Sequence, residues 1–511
     1  MAGVASSSDR TGLENCPIEK MDIAHEEQIA NTSKTNNEDV AFLENFSEDR
    51  RKTIIRRVDI HLIPMLLVLY LVAYLDKTNI EGLTTGLRMS GNEYNIALSI
   101  FFIPYVLAEV PSNMLLNKFA KPSRFIGMLV ICWGIVMTCT GFVQNFAGLA
   151  TIRFLLGLFE AGFFPGAILL ISKWYLPEET QSRIALLYTS AATGGAFSGL
   201  LAYAIAKMNG IGGYQGWRWI FIIEGLATTA LGIACFLFLA DSPSKSSWLK
   251  PDEVRYLELR QVARSSNNPR KQHDGIFDRH AFLEVVKDWK IYLLILATWS
   301  NAVPNYAMKF TMPTIVKSMG FTSANAQLLT IPPYVCGALS AYVLSLLADG
   351  SRWRMPFIVG PQCCVIVAFS TLFTKAAAIQ TDTALCYFAV CLACAGMYPI
   401  FPGVNAWNIA NQAGPIKRAI SIGYLVCAGN IGGVIGSYIY QEDEAPKYPT
   451  GYGNSLAFAS AGLIAALALE YLLMKSNARN AKMTENELRT RFTEEELDKM
   501  GDRSPLYKYS L

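Results

Sequence analysis

Long apolar runs alternate with short polar turns along most of this chain, and each run is long enough to cross a hydrocarbon core of about 30 Å as a helix. In the first half the runs read roughly Val58–Asp76, Tyr94–Leu116, Phe125–Val143, Leu149–Ile171, Ile184–Ala206 and Trp219–Leu239. In the second half they read Ile291–Met308, Ala326–Leu347, Phe357–Thr374, Ala384–Val404, Ile420–Tyr440 and Ser455–Met474. The pattern predicts an all-α polytopic membrane protein of about twelve spanning helices in two pseudo-repeated six-helix bundles. Residues 1–57 are then a disordered cytosolic N-tail, 58–240 one bundle, 241–287 a cytosolic central loop, 288–474 the second bundle and 475–511 a cytosolic C-tail.

The basic residues orient the helices. Arg50, Arg51, Lys52, Arg56 and Arg57, the turn NKFAKPSR, the central loop, SRWR after Asp349, Lys417-Arg418 and the C-tail fall on alternate connections. One side is therefore strongly positive and is predicted to be cytosolic, with both termini on it. No cleavable leader is expected ahead of the polar N-tail, and the sequons at Asn31 and Asn45 in that tail are expected to stay unglycosylated.

The halves echo one another. Glu160-Ala-Gly-Phe-Phe-Pro165 in the fourth run matches Cys394-Ala-Gly-Met-Tyr-Pro399 in the tenth. Arg183 and Arg418 then each open a run with a small-residue seam, Gly195 to Gly199 and Gly432 to Gly436, where helix backbones can approach closely. Paired elements in register point to a duplicated transporter.

Composition narrows the class. The chain has 511 residues and is 52% hydrophobic but only 17% charged, where a soluble chain carries about a quarter charged residues. A net charge of +3 is too small to suggest a nucleic-acid partner. The eleven cysteines are scattered, and the Cys391/Cys394 pair lies in an apolar segment, where packing explains it better than zinc or redox chemistry. His25, His61, His273 and His280 have no metal-ligand spacing, and neither a GxxxxGK[ST] nor a GxSxG string occurs. Neither enzymatic activity nor a cofactor or resident metal is expected.

Candidate chemistry lies where charge is expensive. A charge near the bilayer centre costs at least about 2.5–3.5 kcal/mol and needs a partner or a task. The first half places Asp76, Lys77, Glu109, Arg153, Glu160 and Glu224 in its runs, whereas the second has only Lys309 and Glu470, each near a span end. Arg153 and Glu160 are seven residues apart and share a helix face, too far apart for a one-turn ion pair. Glu160 has Cys394 as its counterpart, so the carboxylate belongs to one repeat only. Desolvation and a nearby cation would pull its proton affinity in opposite directions, which suits proton coupling; a permanently paired structural carboxylate is the competing reading.

Lys77 can offer its ammonium to an anionic substrate, with Asp76 holding Lys77 or Arg153 in place and sharing in proton coupling; a lysine snorkelling at the interface is the alternative. Glu109 belongs to Glu-Val-Pro-Ser-Asn113, where Pro111 frees backbone carbonyls and marks a hinge, with substrate contact through Asn113 as a second reading. Pro165 and Pro399 are matching hinge candidates. In the second half, Asn301, Asn305 and Tyr306 of the seventh run and Asn405 of the tenth suit uncharged recognition of a small polar ligand, although aromatics there also anchor interfaces.

RFLLGLFEAGFFPG (Arg153 to Gly166), GWRWIFIIEG (Gly216 to Gly225) and LADGSRWR (Leu347 to Arg354) resemble signatures of the major facilitator superfamily. YLDKTNI, YVLAEVPSNMLL and FTMPTIVKSMGFTSANAQLLTIPPY (Phe310 to Tyr334) resemble the fungal anion:cation symporters, nearest the allantoate and nicotinate permease branch. The resemblance covers about residues 50 to 480. It implies proton-linked symport of small carboxylate-bearing metabolites across the plasma membrane, by a monomer whose partners are the bilayer, the substrate and protons. It also implies that Arg153 and Glu160 are the embedded charged pair of the fourth helix. Lys77 stands where that family usually has Arg, which keeps the charge but loses the bidentate fork. After Asn79-Ile80 the chain has Glu81-Gly-Leu where the family commonly has Gly-Asn-Ala, an extra acid beside the expected anion site. Two other expectations stay open: an exporter of a fungal secondary metabolite with the same fold, and a nutrient sensor.

Overall fold

A computed structural model describes residues 39, 42–43, 46–78, 91–119, 121–206, 208–265, 279–351, 353–440, 444, 447–482, 493, 496 and 500–511. Asn31, Asn45, Asn79, Ile80 and Glu81 lie outside them, as do the side chains of Asp76 and Lys77.

Twelve long helices run through the described residues. The first six are α1 (Glu48–Thr78), α2 (Gly91–Lys118), α3 (Pro122–Thr140), α4 (Phe146–Trp174), α5 (Pro177–Ala206) and α6 (Gly216–Phe238). The second six are α7 (Trp289–Ser318), α8 (Ile331–Gly350), α9 (Pro356–Lys375), α10 (Thr383–Ala410), α11 (Pro415–Tyr438) and α12 (Pro449–Asn480). Among the described residues ten of them carry an apolar stretch long enough to span a membrane, and the remaining two are α5 and α7. Both are packed among neighbours, α5 against α1, α8 and α10, and α7 against α10, α11 and α12. Large apolar side chains such as Leu107, Phe238 and Ile464 point outward, as a lipid-facing surface requires.

The helix ends overrun the apolar runs. α1 begins at Glu48, ten residues before Val58, because EDRRKTIIRR is a good helix former whose charges reach water while Ile54 packs inward. Asn145 caps α4 by accepting from Gly148 N at 2.8 Å, and Asp288 caps α7 by accepting from Lys290 N at 3.2 Å. Two large apolar cores form: one is built mainly from α1–α6 around Trp133, Phe163 and Trp174, the other mainly from α7–α12 around Phe369, Met397 and Tyr452. Helices α3 and α6 touch through glycine: a Cβ on Gly225 would collide with the backbone nitrogen of Thr138. The two sets of helices meet chiefly where α2 packs on α11 and α5 on α8.

The face where α1 enters and α12 returns, here the basal face, is rich in polar ties. The central connection contains two helices, Pro251–Ser265 and Arg279–Val286. The first docks through Arg57–Glu253 (2.9 Å) and Arg260–Glu179 (3.0 Å). Across the halves, Asp349 at the end of α8 accepts from Gln181 N (3.1 Å) and Ser182 N (2.8 Å) of α5, and the Arg354 guanidinium donates to Gln181 Oε1 (2.8 Å) and to the Pro177 carbonyl.

Residues 500–511 form a strap under the second half. Asp502 pairs with Lys290 and with Lys417 (2.7 Å), and Asp288 lies 3.2 Å from Lys417, so two buried cations meet two buried carboxylates. Burial pushes the Asp502 carboxyl up, but Lys290 and Lys417 outweigh it and hold the group below the ordinary aspartate range. Asn411 and Asn477 clasp the strap backbone on both sides, and Arg354 N donates to the Leu511 carbonyl at 2.7 Å.

Candidate functional site

Between the halves a chain of polar side chains leads from the second helix through the eleventh to the seventh. Glu160 (2% exposed) and Arg153 (5%) lie on one face of α4, and Glu224 of α6 is buried as well. Pro165 has no N–H to give the carbonyl of Ala161 one turn back, and α4 is interrupted just there, at Ala161-Gly162, before resuming at Phe163. The interruption falls directly after Glu160. Gly162 fits against Ser112 of α2, where a Cβ would collide with the serine hydroxyl.

Tyr105 of α2 is within electrostatic reach of Glu160, Glu109 and Tyr306. Glu109, one turn further along α2 and fully buried, accepts from Asn430 Nδ2 of α11 through both carboxylate oxygens, each at 3.2 Å. Asn430 Oδ1 in turn accepts from the Tyr306 hydroxyl of α7 at 3.3 Å. A second cross-half contact lies alongside: Asn305 Nδ2 donates to the Tyr188 hydroxyl of α5 at 2.8 Å, and Asn301 also reaches that hydroxyl. Lys309 holds its ammonium 3.8 Å from the centre of the Tyr74 ring of α1, a cation–π contact between the first and seventh helices.

Aromatic rings fill the space beside these polar groups. Tyr188 stacks on Phe401 at 4.9 Å and meets Tyr398 at 5.6 Å. Phe401 meets Phe164 at 5.7 Å, and Phe164 stacks on Tyr70 at 4.7 Å. Four helices, α1, α4, α5 and α10, are thereby joined by one set of packed aromatic faces.

The sequence-predicted residues separate into groups. Glu109, Asn305 and Tyr306 belong to the polar chain or its neighbour contact, and Glu160 approaches it through Tyr105. Asn301 turns its amide mainly to the Met397 carbonyl of α10. Asn113 spans the halves lower down, donating to the Ala419 carbonyl at 2.9 Å while its own carbonyl oxygen makes no hydrogen bond among the described residues. Asn405 bonds back to Phe401 O at 2.9 Å within α10, its carbonyl oxygen again making no hydrogen bond among the described residues. Pro111 lies inside an unbroken α2. Pro399 lies inside an unbroken α10, where the Ala395 carbonyl that it deprives of a donor accepts instead from the Ser340 hydroxyl at 2.6 Å. Tyr188, Tyr105, Asn430 and the Tyr70–Phe164–Phe401 rings were missed from sequence; the signal available was Asn430, an amide just ahead of the Gly432–Gly436 seam.

Twelve helices, two cores and a polar seam between them match a family pattern. Residues 62–437 match the family model of the Major Facilitator Superfamily. The chain belongs to that superfamily. Among relatives, the MFS-type transporter cnsO of Penicillium expansum is 35% identical over 484 residues, covering 92% of each chain. The high-affinity nicotinic acid transporter of Saccharomyces cerevisiae is 28% identical over 476 residues, covering 91% of this chain and 85% of that protein. The structure of the proton:xylose symporter XylE superposes with a TM-score of 0.62 at 13% identity, covering 80% of this chain and 95% of XylE, a likeness of fold. This major facilitator protein is therefore a multi-pass membrane transporter.

Proposed function

We propose that this facilitator is a proton-coupled symporter that takes up a small organic anion by alternating access, within the fungal anion:cation symporter group and near its allantoate and nicotinate branch. The observation that carries the reading is the burial of Arg153 and Glu160 on one face of α4, beside a helix break and within reach of Tyr105. A permanent cation and a titratable acid together match an anion that travels with a proton. The 28% relative named as a nicotinic acid transporter supports a planar carboxylate as the substrate class.

In this reading Arg153 and Lys77 attract the carboxylate, and Glu160, assisted by Asp76, carries the proton. Asn301, Asn305, Tyr306 and Asn405 provide uncharged recognition from the second half, and Tyr188, Phe164 and Phe401 provide flat faces. Protonation of Glu160 lowers the cost of moving the acid while the halves rock. The Pro165 break gives the fourth helix a place to bend. The protein works in the plasma membrane with its basal face to the cytosol, in keeping with the basic residues gathered there.

The test is uptake of labelled nicotinate, allantoate and related carboxylates by permease-deficient yeast expressing this chain, in acidic and neutral medium, with and without a protonophore. Faster uptake in acid that collapses with the protonophore supports the reading. A protein that reaches the plasma membrane yet admits no carboxylate refutes it.

A further inference from the structure

The contact between α2 and α11 is a ladder of close approaches. Lowest, Asn113 Nδ2 donates to Ala419 O at 2.9 Å. Next, Gly423 leaves room for Val110, whose Cα would lie 3.3 Å from an added Cβ. One turn further, Cys427 Sγ approaches Val106 O at 3.5 Å. The uppermost rung is the Glu109 carboxylate on the Asn430 amide. Every lower rung is neutral and cannot change with pH below the thiol range.

A glutamate at this rung is costly if its only role is cohesion. Glutamine would offer Asn430 an acceptor of the same shape without burying an acid, which in a membrane costs at least about 2.5–3.5 kcal/mol when ionised. Among the described groups around Glu109 are Tyr105 one turn before it on α2, which also senses Glu160 of α4, Cys427 and Asn430 of α11, and Tyr306 of α7 through Asn430.

We propose that Glu109 is a proton-operated latch between the halves, a positioning residue for the transport cycle whose ionised carboxylate ties α2 to α11 through Asn430 and whose protonation releases them. Ionised, both oxygens accept from the amide, and a charge-assisted bond is about twice as strong as a neutral one. Protonated, the group keeps one oxygen to accept from the amide N–H but loses the charge that strengthens the bond, so the tie loosens. The Asn430–Tyr306 bond carries the change to α7, which also holds Asn301 and Asn305. The consequence for transport rests on the proton-coupled reading above; the latch itself does not.

A disulfide tests it without substrate. Val106→Cys is paired with native Cys427 in a background whose other cysteines are replaced, and a protease site in the linker between residues 266 and 278 reports whether the halves stay joined. The readout is the cross-link yield in neutral buffer divided by that in acidic buffer, compared between the protein with native Glu109 and its Glu109→Gln variant. The latch predicts a ratio at least threefold larger with native Glu109 than in Glu109→Gln, since only the former loosens in acid. Equal ratios overturn it. Asn430→Ala, which leaves Glu109 in place, gives the same ratio as Glu109→Gln if the amide is the other half of the latch; a retained acid response in Asn430→Ala overturns it equally. Uptake assays succeed or fail independently, because the cross-link is formed with no anion present.

Discussion

Helices α4 and α10 carry the same short string, Ala-Gly, two bulky residues and Pro, yet they fold differently. In α4 the string follows Glu160 and the helix breaks; in α10 it follows Cys394 and the helix runs through Pro399, its orphaned carbonyl taken up by Ser340. The wider contrast is the same. The first half buries Glu109, Arg153, Glu160 and Glu224 within its membrane helices, while the second half buries mainly amides there, with Glu470 near the end of α12, and gathers its buried ion pairs at the basal rim. Duplication supplied one backbone twice. The side chains differ: buried charge lies mainly within the helices of one half and buried amides within those of the other.

The sharpest way to break this division is to unbalance the rim. Asp502→Asn leaves two buried lysines facing Asp288 alone and is expected to cost about 3–5 kcal/mol locally, read as loss of exchange protection in residues 500–511. Acid does the same. Because the native Asp502 carboxyl is held below its ordinary range, its contribution is complete above about pH 4 and is lost as pH falls through the native value. Protection of the strap that is flat in acid contradicts this. Next, Cys394→Glu places an acid in the neutral repeat. We expect a penalty of at least about 2.5–3.5 kcal/mol, seen as a lower melting temperature in detergent, and a neutral shift would show that the second half tolerates charge as well as the first.

The matched glycines give a smaller effect. Gly396→Ala drives a Cβ to 2.7 Å from the Pro361 backbone carbonyl, whereas Gly162→Ala meets side chains alone, Ser112 and, at 2.8 Å, Leu129. The former should cost about 1–3 kcal/mol and the latter less; the reverse order in thermal shift would undo the comparison. Smallest is Tyr188→Phe. It keeps the ring on Phe401 but deprives Asn305 of its acceptor, for about 1 kcal/mol or roughly fivefold in substrate affinity.

The spans and the paired strings were legible because hydropathy over about twenty residues and a duplicated Gly-Pro pattern are local signals. The buried acids and Arg153 were legible for the same reason: charge inside an apolar run stands out. Partners were not. Asn430 lies 321 residues from Glu109, and nothing in either neighbourhood names the other. Tyr188 and Phe401 are ordinary aromatics until two helices from different halves bring their faces together. The strap escaped because GDRSPLYKYSL has no hydrophobic period, and its hold comes from single groups such as Asp502 and the backbone at Ser510. Helix overruns such as Glu48–Ile54 were hidden because charged turns outside the bilayer carry no hydropathy signal.

The most direct test of the account is anion accumulation in proteoliposomes containing purified protein, with an imposed pH gradient, for the native chain and Glu160→Gln. We expect the native chain to concentrate labelled nicotinate or a related carboxylate when the outside is acidic. Glu160→Gln should still exchange labelled for unlabelled anion with no gradient, yet fail to accumulate it. Accumulation by Glu160→Gln with an unchanged dependence on the gradient would contradict the assignment of the proton to the fourth helix.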